Sequence, residues 1–354
     1  MAIACSIEDS VLLAFYDKIK TGEAKDTATK LKSDATYFSI ADGIVQHMFI
    51  EYLFKGGKFG EIVGEEDGTV VNIKTTPYSV DDLEVPSEFN NLIYGTLSSI
   101  KMLASRIHPE AYKDITIFVD PIDGTREFAT GQGDKVTILI GYNDRKGHPV
   151  AGIMYRPLTL PNTWAAGAKS EGCAMGVLNC QYPPNSNGVL VTDGKVSTYL
   201  TRLIDELGYE RINSLASGNR AMMILEGKAG AYIRDTGGFA KWDTSGPQAV
   251  IEAFGGTMSK LPGFLKDKTL ESYTHLKSDL NLDFEPDITA TLTNVRNKKA
   301  FNKDTTVIVK DVQELKEYAC MRGLVCLDRE NLKYIDKIHA AMKKVEAEVK
   351  PLYT

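Results

Sequence analysis

Long hydrophobic runs are missing from this 354-residue sequence. The apolar patch nearest the N-terminus, Val11 to Tyr16, falls well short of the roughly 20 residues a bilayer-spanning helix needs. No basic flank leads into a longer apolar stretch, so the chain reads as a cytoplasmic protein with no membrane partner. Positive charge is also in short supply. Lys and Arg total 41 against 47 Asp and Glu, a formal charge of −6, whereas proteins that grip a phosphate backbone concentrate cations to displace counterions. A nucleic acid polymer is therefore not expected as a partner. Cysteine is sparse: Cys5, Cys173, Cys180, Cys320 and Cys326 are odd in number and lack Cys-x-x-Cys spacing, which argues against a disulfide framework and a zinc site. The histidines, His47, His108, His148, His275 and His339, are scattered outside every motif and are assigned surface or packing roles. There is no internal repeat and no low-complexity segment.

What is present suits a sizeable core. Apolar residues make up 43% and charged residues 25%, at a length beyond which a single core usually stops growing. The expected fold class is α/β (α+β) with two lobes sharing a cleft: an N-terminal α+β lobe, residues 1–186, and a C-terminal α/β lobe, residues 187–354. The Asn-Ser-Asn-Gly stretch at 185–188 marks the boundary. Helical spacing runs from Ser6 to Ile19, from about Phe38 to Phe54 and from about Ser87 to Ile107. Strands are expected at 115–119, 136–142, 149–155 and 162–167. Beyond 188, strand and helix patterns alternate: 189–192, 196–207, 212–215, 219–227, 230–234 and 243–254. The tail from 305 offers one strand, Thr306 to Lys310, and two helices.

The informative stretch is Asp120-Pro121-Ile122-Asp123-Gly124-Thr125. Pro121 has no N–H to give a ladder, so the strand should leave the sheet there, with Asp123-Gly124-Thr125 turning into a helix. Two aspartates three residues apart then face one spot. Magnesium takes hard oxygen ligands in octahedral geometry, and two carboxylates plus a backbone carbonyl such as that of Ile122 make half a shell. The N–H groups of Gly124 and Thr125 at the helix start form a phosphate cradle. Taken alone, this motif is equally a tight turn with a capping aspartate. Two further places supply carboxylates: Gly64-Glu65-Glu66 after a short strand, and Trp242-Asp243-Thr244 at a helix start, where Asp243 could serve merely as an N-cap. Trp242 reads as core that fixes Asp243 from behind.

With these segments in view, the sequence resembles the inositol monophosphatase superfamily of lithium-sensitive, magnesium-dependent phosphatases. The resemblance rests on Ala41-Asp42, Gly64-Glu65-Glu66, Asp120 to Thr125, Gly218-Asn219 and Lys241-Trp242-Asp243-Thr244, in that order, and covers roughly residues 6–260. It implies a layered αβαβα sandwich and two or three Mg2+ ions, with inhibition by Li+. It further implies that Glu65, Asp120 and the Ile122 carbonyl hold one magnesium, that Asp120, Asp123 and Asp243 hold a second, and that Asp42 and Thr125 orient and deprotonate the attacking water with help from Glu66. The chemistry would be in-line displacement, one cation acidifying the water and the other stabilising the leaving alkoxide, with no covalent enzyme intermediate. One departure from the pattern stands at Thr36, where family members commonly carry an aspartate six residues before the one matching Asp42.

The substrate implied is a small phosphorylated metabolite with a second phosphate. Two subfamilies are similar between Val119 and Gly141. The long segment from Thr69 to Asp114 looks more like inositol polyphosphate 1-phosphatases, taking inositol 1,4-bisphosphate, and this is the preferred expectation. Gly124-Thr125 and Arg126-Glu127 look more like 3′(2′),5′-bisphosphate nucleotidases, which convert adenosine 3′,5′-bisphosphate to AMP. Gly124, Thr125, Ser217, Gly218, Asn219, Arg220 and Lys241 are the expected substrate contacts, Arg220 and Lys241 as cations on the cleft wall. The chain would act as a monomer or homodimer. A non-catalytic sensor of metal or phosphometabolite, and a sugar bisphosphatase, remain as rival readings.

Overall fold

The computed structural model describes residues 11–21, 29–31, 37–49, 54, 59–65, 87–108, 112–180, 188–192, 196–235, 239–276, 319–320 and 323–352. Two sheets organise these residues. The first has six strands in sequential order: β1 (Phe59–Gly64), β2 (Tyr112–Asp123), β3 (Thr137–Asn143), β4 (Pro149–Arg156), β5 (Thr163–Ala168) and β6 (Cys173–Val177). β1 runs parallel to β2 and the remaining pairs are antiparallel. The second has five: β7 (Val189–Thr192), β8 (Glu210–Asn213), β9 (Ala231–Arg234), β10 (Thr257–Lys260) and β11 (Leu324–Leu327), in the order β8-β7-β9-β11-β10. Helices α1 (Leu13–Thr21), α2 (Ile40–His47), α3 (Asn90–Ala104), α4 (Thr125–Ala129), α5 (Thr198–Leu207), α6 (Ser217–Leu225), α7 (Lys241–Ala253), α8 (Leu261–Asp267) and α9 (Ile335–Glu346) complete the fold.

Side-chain alternation along the strands fixes the layering. Ile117, Val119, Ile138, Ile140 and Tyr155 of the first sheet pack with Phe15, Val45 and Ile100 of α1, α2 and α3. The intervening Leu139 and Met154, with Ala165 of β5, face the other way onto Met222 of α6 and Val250 of α7, joined there by Val191, Tyr232 and Cys326 of the second sheet. The far face of that sheet, Leu190, Ile233 and Val325, packs with α5, α8 and α9 through Leu203, Phe264 and Met342. Helices, sheet, helices, sheet, helices: this is the αβαβα sandwich.

The central helix α7 lies unusually close to the first sheet. Gly141, Gly152 and Gly167 are cross-strand partners on three adjacent strands. A Cβ on each would meet Ser245, the Gly246 carbonyl or Ala253 of α7 within 2.5 Å. This glycine row is the groove that lets α7 settle against the sheet and sets the position of its first turn.

The sequence reading needs three corrections. β2 does not leave the sheet at Pro121 but runs on to Asp123; the register slips between Asp120 and Asp123, and such a bulge tolerates a residue without an N–H. The helix expected from Phe38 begins only at Ile40, because Tyr37–Ser39 pair with Thr29–Leu31 in a small ladder. β6 was not foreseen. The proposed boundary at 186/187, the Thr306 to Lys310 strand, Glu66 and Thr36 lie outside the described residues.

Candidate active site

Three chain segments meet at one hydrophobic seat. Val63, Phe118 and Trp242 form a small buried cluster, and each stands one or two residues before an acidic side chain: Glu65, Asp120 and Asp243. Packing of these three therefore brings the ends of β1 and β2 to the start of α7. Ligand oxygens of Asp120, Asp123 and Asp243 all lie within 4.8 Å of one another, with Asp120 and Asp123 buried and Asp243 partly exposed.

The surroundings of these carboxylates differ. Asp123 is heavily hydrogen-bonded: its Oδ2 accepts from Thr137 Oγ1 (2.6 Å) and Gly218 N (2.7 Å), and its Oδ1 from Ser217 N (3.0 Å). It thus caps the N-terminus of α6 from across the molecule, where the helix dipole favours an anion. Burial still holds its pKa above the usual carboxylate range, against those hydrogen bonds and the nearby Arg220 guanidinium. Asp243, the third residue of α7 rather than its cap, accepts from Ala240 N (2.6 Å). Burial first, then the charge of Asp123, pushes it up to about 7. Asp120 accepts from Ile122 N (3.1 Å) and lies in hydrogen-bonding contact with the Glu65 side chain. Burial, followed by Glu65, Asp123 and Asp243, raises it well above the normal value.

That pattern is the test of whether a divalent cation fits. Carboxyl groups this close cannot all ionise unless a proton or a cation sits among them, and hard oxygen donors from separate elements suit magnesium. The donor set fits the group.

Asp42 and Thr125 also meet. Asp42, fully buried on α2, accepts from Thr125 Oγ1 at 3.1 Å, and the same hydroxyl lies 3.0 Å from the Ile122 carbonyl. Gly124 adopts φ 94° at the start of α4, a conformation that favours glycine. Placed there, it turns the chain from the bulge into the helix that carries Thr125.

The expected substrate contacts are placed differently. Lys241 is fully buried and its ammonium donates to the Leu276 carbonyl. Arg220 is buried, donates from Nη1 to the Ser214 carbonyl (2.9 Å) and lies over the Tyr232 ring. Neither is a cation on a cleft wall; Arg220 is an internal counter-charge for Asp123. Ser217 and Gly218 hold Asp123, and Asn219 closes the turn into α6, its Nδ2 donating to Ser214 Oγ (2.7 Å). Sequence reasoning missed Thr137, for which no signal exists beyond its place at the head of β3. It also missed that Ser217 N and Gly218 N would donate to the Asp123 carboxylate.

The model of the inositol monophosphatase family matches residues 10–297, and the chain belongs to that family. Mouse 3′(2′),5′-bisphosphate nucleotidase 1 is 30% identical over 161 residues, 43% of this chain and 51% of that protein. The CysQ 3′(2′),5′-bisphosphate nucleotidase of Salmonella typhimurium is 32% identical over 168 residues, 47% of this chain and 65% of that protein. The chain thus spans about half the length of the mouse relative. Among solved structures, the suhB extragenic suppressor protein of Bartonella henselae superposes with a TM-score of 0.54 at 14% identity, over 97% of this chain and 95% of its own, which establishes the fold. No helix among the described residues is long and apolar enough to cross a membrane.

Proposed function

We propose that this protein is a magnesium-dependent, lithium-sensitive phosphomonoesterase that removes one phosphate from a small bisphosphorylated metabolite. The observation that carries the reading is the convergence of Asp120, Asp123 and Asp243 beside the Asp42–Thr125 pair. Glu65, Asp120, Asp123, Asp243 and the Ile122 carbonyl would hold the magnesium. When bound, it supplies neutralising charge for the phosphate ester and acidity for water.

The chain's own residues do the rest. Thr125 Oγ1 donates to Asp42, which leaves the hydroxyl oxygen free to accept a proton from a water and pass its own to the carboxylate. Asp42, held without solvent contact, keeps that acceptor aimed. The N–H groups of Gly124 and Thr125 meet the phosphoryl oxygens, and Glu66 assists from the next residue after Glu65. A sensor would have no use for a proton-accepting pair, which favours catalysis over the non-enzymatic reading.

For the substrate, the order left by the sequence is reversed. Inositol 1,4-bisphosphate stood first there, but the relatives named above carry nucleotidase names, so a nucleoside 3′(2′),5′-bisphosphate is the favoured substrate. Phosphate release from adenosine 3′,5′-bisphosphate, inositol 1,4-bisphosphate and fructose 1,6-bisphosphate, with Mg2+ and with added Li+, tests this directly. The nucleotide should be turned over fastest and lithium should inhibit. Release from none of the three would return the sensor reading.

A further inference from the structure

A cavity of about 700 Å3 opens between the β4–β5 hairpin and α6, and none of the cluster carboxylates lines it. Its floor is polar and buried. Arg156, Thr163, Ser214 and Asn219 are each no more than 6% exposed. Arg156 donates from Nε to Asn219 Oδ1 (2.8 Å) and from Nη1 to Glu226 Oε1 (2.6 Å), while Lys228 Nζ donates to Glu226 Oε2 (2.9 Å). Two cations thus share one carboxylate that is itself wholly buried and does not line the cavity. On the wall, Lys135 stands beside Asp134. The cavity therefore keeps an excess of positive charge in a chain whose total is −6. Leu158, Leu178 and Met223 supply an apolar stretch of the wall, beside polar Thr159, Asn179 and Asn213. Pockets of roughly 300–1,000 Å3 with a few convergent polar groups on apolar walls are the size and character of small-molecule sites.

We propose that this cavity is a second binding site, taking a small organic anion of nucleotide size, distinct from the carboxylate cluster but joined to it through the first turn of α6. The anionic group engages Arg156 and Lys228, and the body lies on Leu158, Leu178 and Met223. The junction is one peptide bond. Gly218 N holds Asp123 Oδ2, and the next residue, Asn219, is held by Arg156. An anion that draws the guanidinium from Asn219 loosens the turn that orients Asp123. Binding is independent of the proposed hydrolysis; only this coupling rests on it.

The test uses full-length protein stripped of metal with EDTA, in which the acidic cluster repels anions. AMP and adenosine are titrated calorimetrically. AMP should bind one to one, and adenosine, lacking the anionic group, at least about tenfold more weakly, the worth of one charge-assisted hydrogen bond. Lys228→Glu should weaken AMP binding by a similar factor, and Thr159→Trp, which fills the cavity from its wall, should abolish it with the melting temperature preserved. Equal affinity for AMP and adenosine would overturn the anion assignment. Failure of AMP to bind without metal, or binding indifferent to both substitutions, would overturn the site.

Discussion

Helix α6 runs between two buried groups of charges that are built on opposite principles. Near its C-terminus, Glu226 is met by Arg156 and Lys228 and by the N–H of Asn179 (3.2 Å), a cluster whose carboxylate is fully answered by protein. At its N-terminus, Asp123 joins Asp120 and Asp243 in a cluster where carboxylate faces carboxylate and pKa values are driven upward. Burying an ion is costly unless it is paired. A fold that gives one cluster two cations for a single carboxylate and leaves its neighbour short of cations suits the first to an arriving anion and the second to an arriving cation. The sign of the charge left over, more than burial, separates the two clusters.

Substitutions in both clusters put pressure on that contrast. The largest effect should come from Asp120→Asn, which removes the carboxylate shared across the cluster: turnover should fall about a thousandfold or more in a phosphate-release assay, with far-UV circular dichroism unchanged. Arg156→Ala should instead cost stability, about 3–5 kcal/mol by urea denaturation, because it strands Glu226 without its closest cation. The double replacement Arg156→Met with Glu226→Leu should recover most of that loss, since an internally balanced pair is replaceable by apolar packing, whereas no such replacement can rescue the other cluster. Thr125→Ala should lower kcat about a hundredfold while leaving Mg2+ affinity in place, separating proton transfer from metal binding.

Smaller effects follow from protons. Asp243 has a folded pKa pushed up to about 7, above the unfolded value near 3.8, so the metal-free folded state binds the extra proton between these limits. Its contribution is greatest at low pH and disappears as pH rises through 7. Magnesium should therefore raise the melting temperature more at pH 8 than at pH 6.5, by about 5 °C at saturating concentration, as read by differential scanning fluorimetry. His275 works in the opposite direction. Buried first of all, and close to Lys241, it is held down to about 3 in the folded chain, so its contribution is complete above pH 6.5 and is lost as pH falls toward 3. His275→Gln should flatten the decline in melting temperature between pH 6 and 4.

Of the two clusters only the acidic one left a mark in the sequence, and the illegible part has a common cause. Glu65, Asp120, Asp123 and Asp243 could be proposed because each sits in a short pattern whose residue types are needed locally, a strand end, a turn or a helix start, whereas the pairing of Asp42 with Thr125 came only from the family resemblance. The strand patterns likewise indicated a mixed sheet followed by an α/β lobe, and the layering of helices between two sheets came from the family resemblance. What could not be read were partnerships across long separations. Lys241 and Arg220 beside the motifs looked like cations waiting for phosphate, but tertiary packing turns them inward to a carbonyl and an aromatic ring. Ser217 and Gly218 were read for ligand contact, and their bonds to Asp123, some ninety positions earlier, had no sign in the sequence. The Gly141, Gly152 and Gly167 row reads as punctuation until the register aligns it under α7. Pro121 misled for a similar reason: a bulge, set by the partner strand, keeps it in the sheet.

The most direct test of the central claim is calorimetric titration of Mg2+ into the EDTA-treated and dialysed protein at pH 7.5, alongside Asp120→Asn and Asp243→Asn. The wild-type chain should bind Mg2+ with saturable heat, and each substitution should weaken binding about tenfold or more. Absence of Mg2+ binding to the wild-type chain, or equal binding by all three proteins, would mean that the crowded carboxylates do not hold the cation on which the proposed function rests.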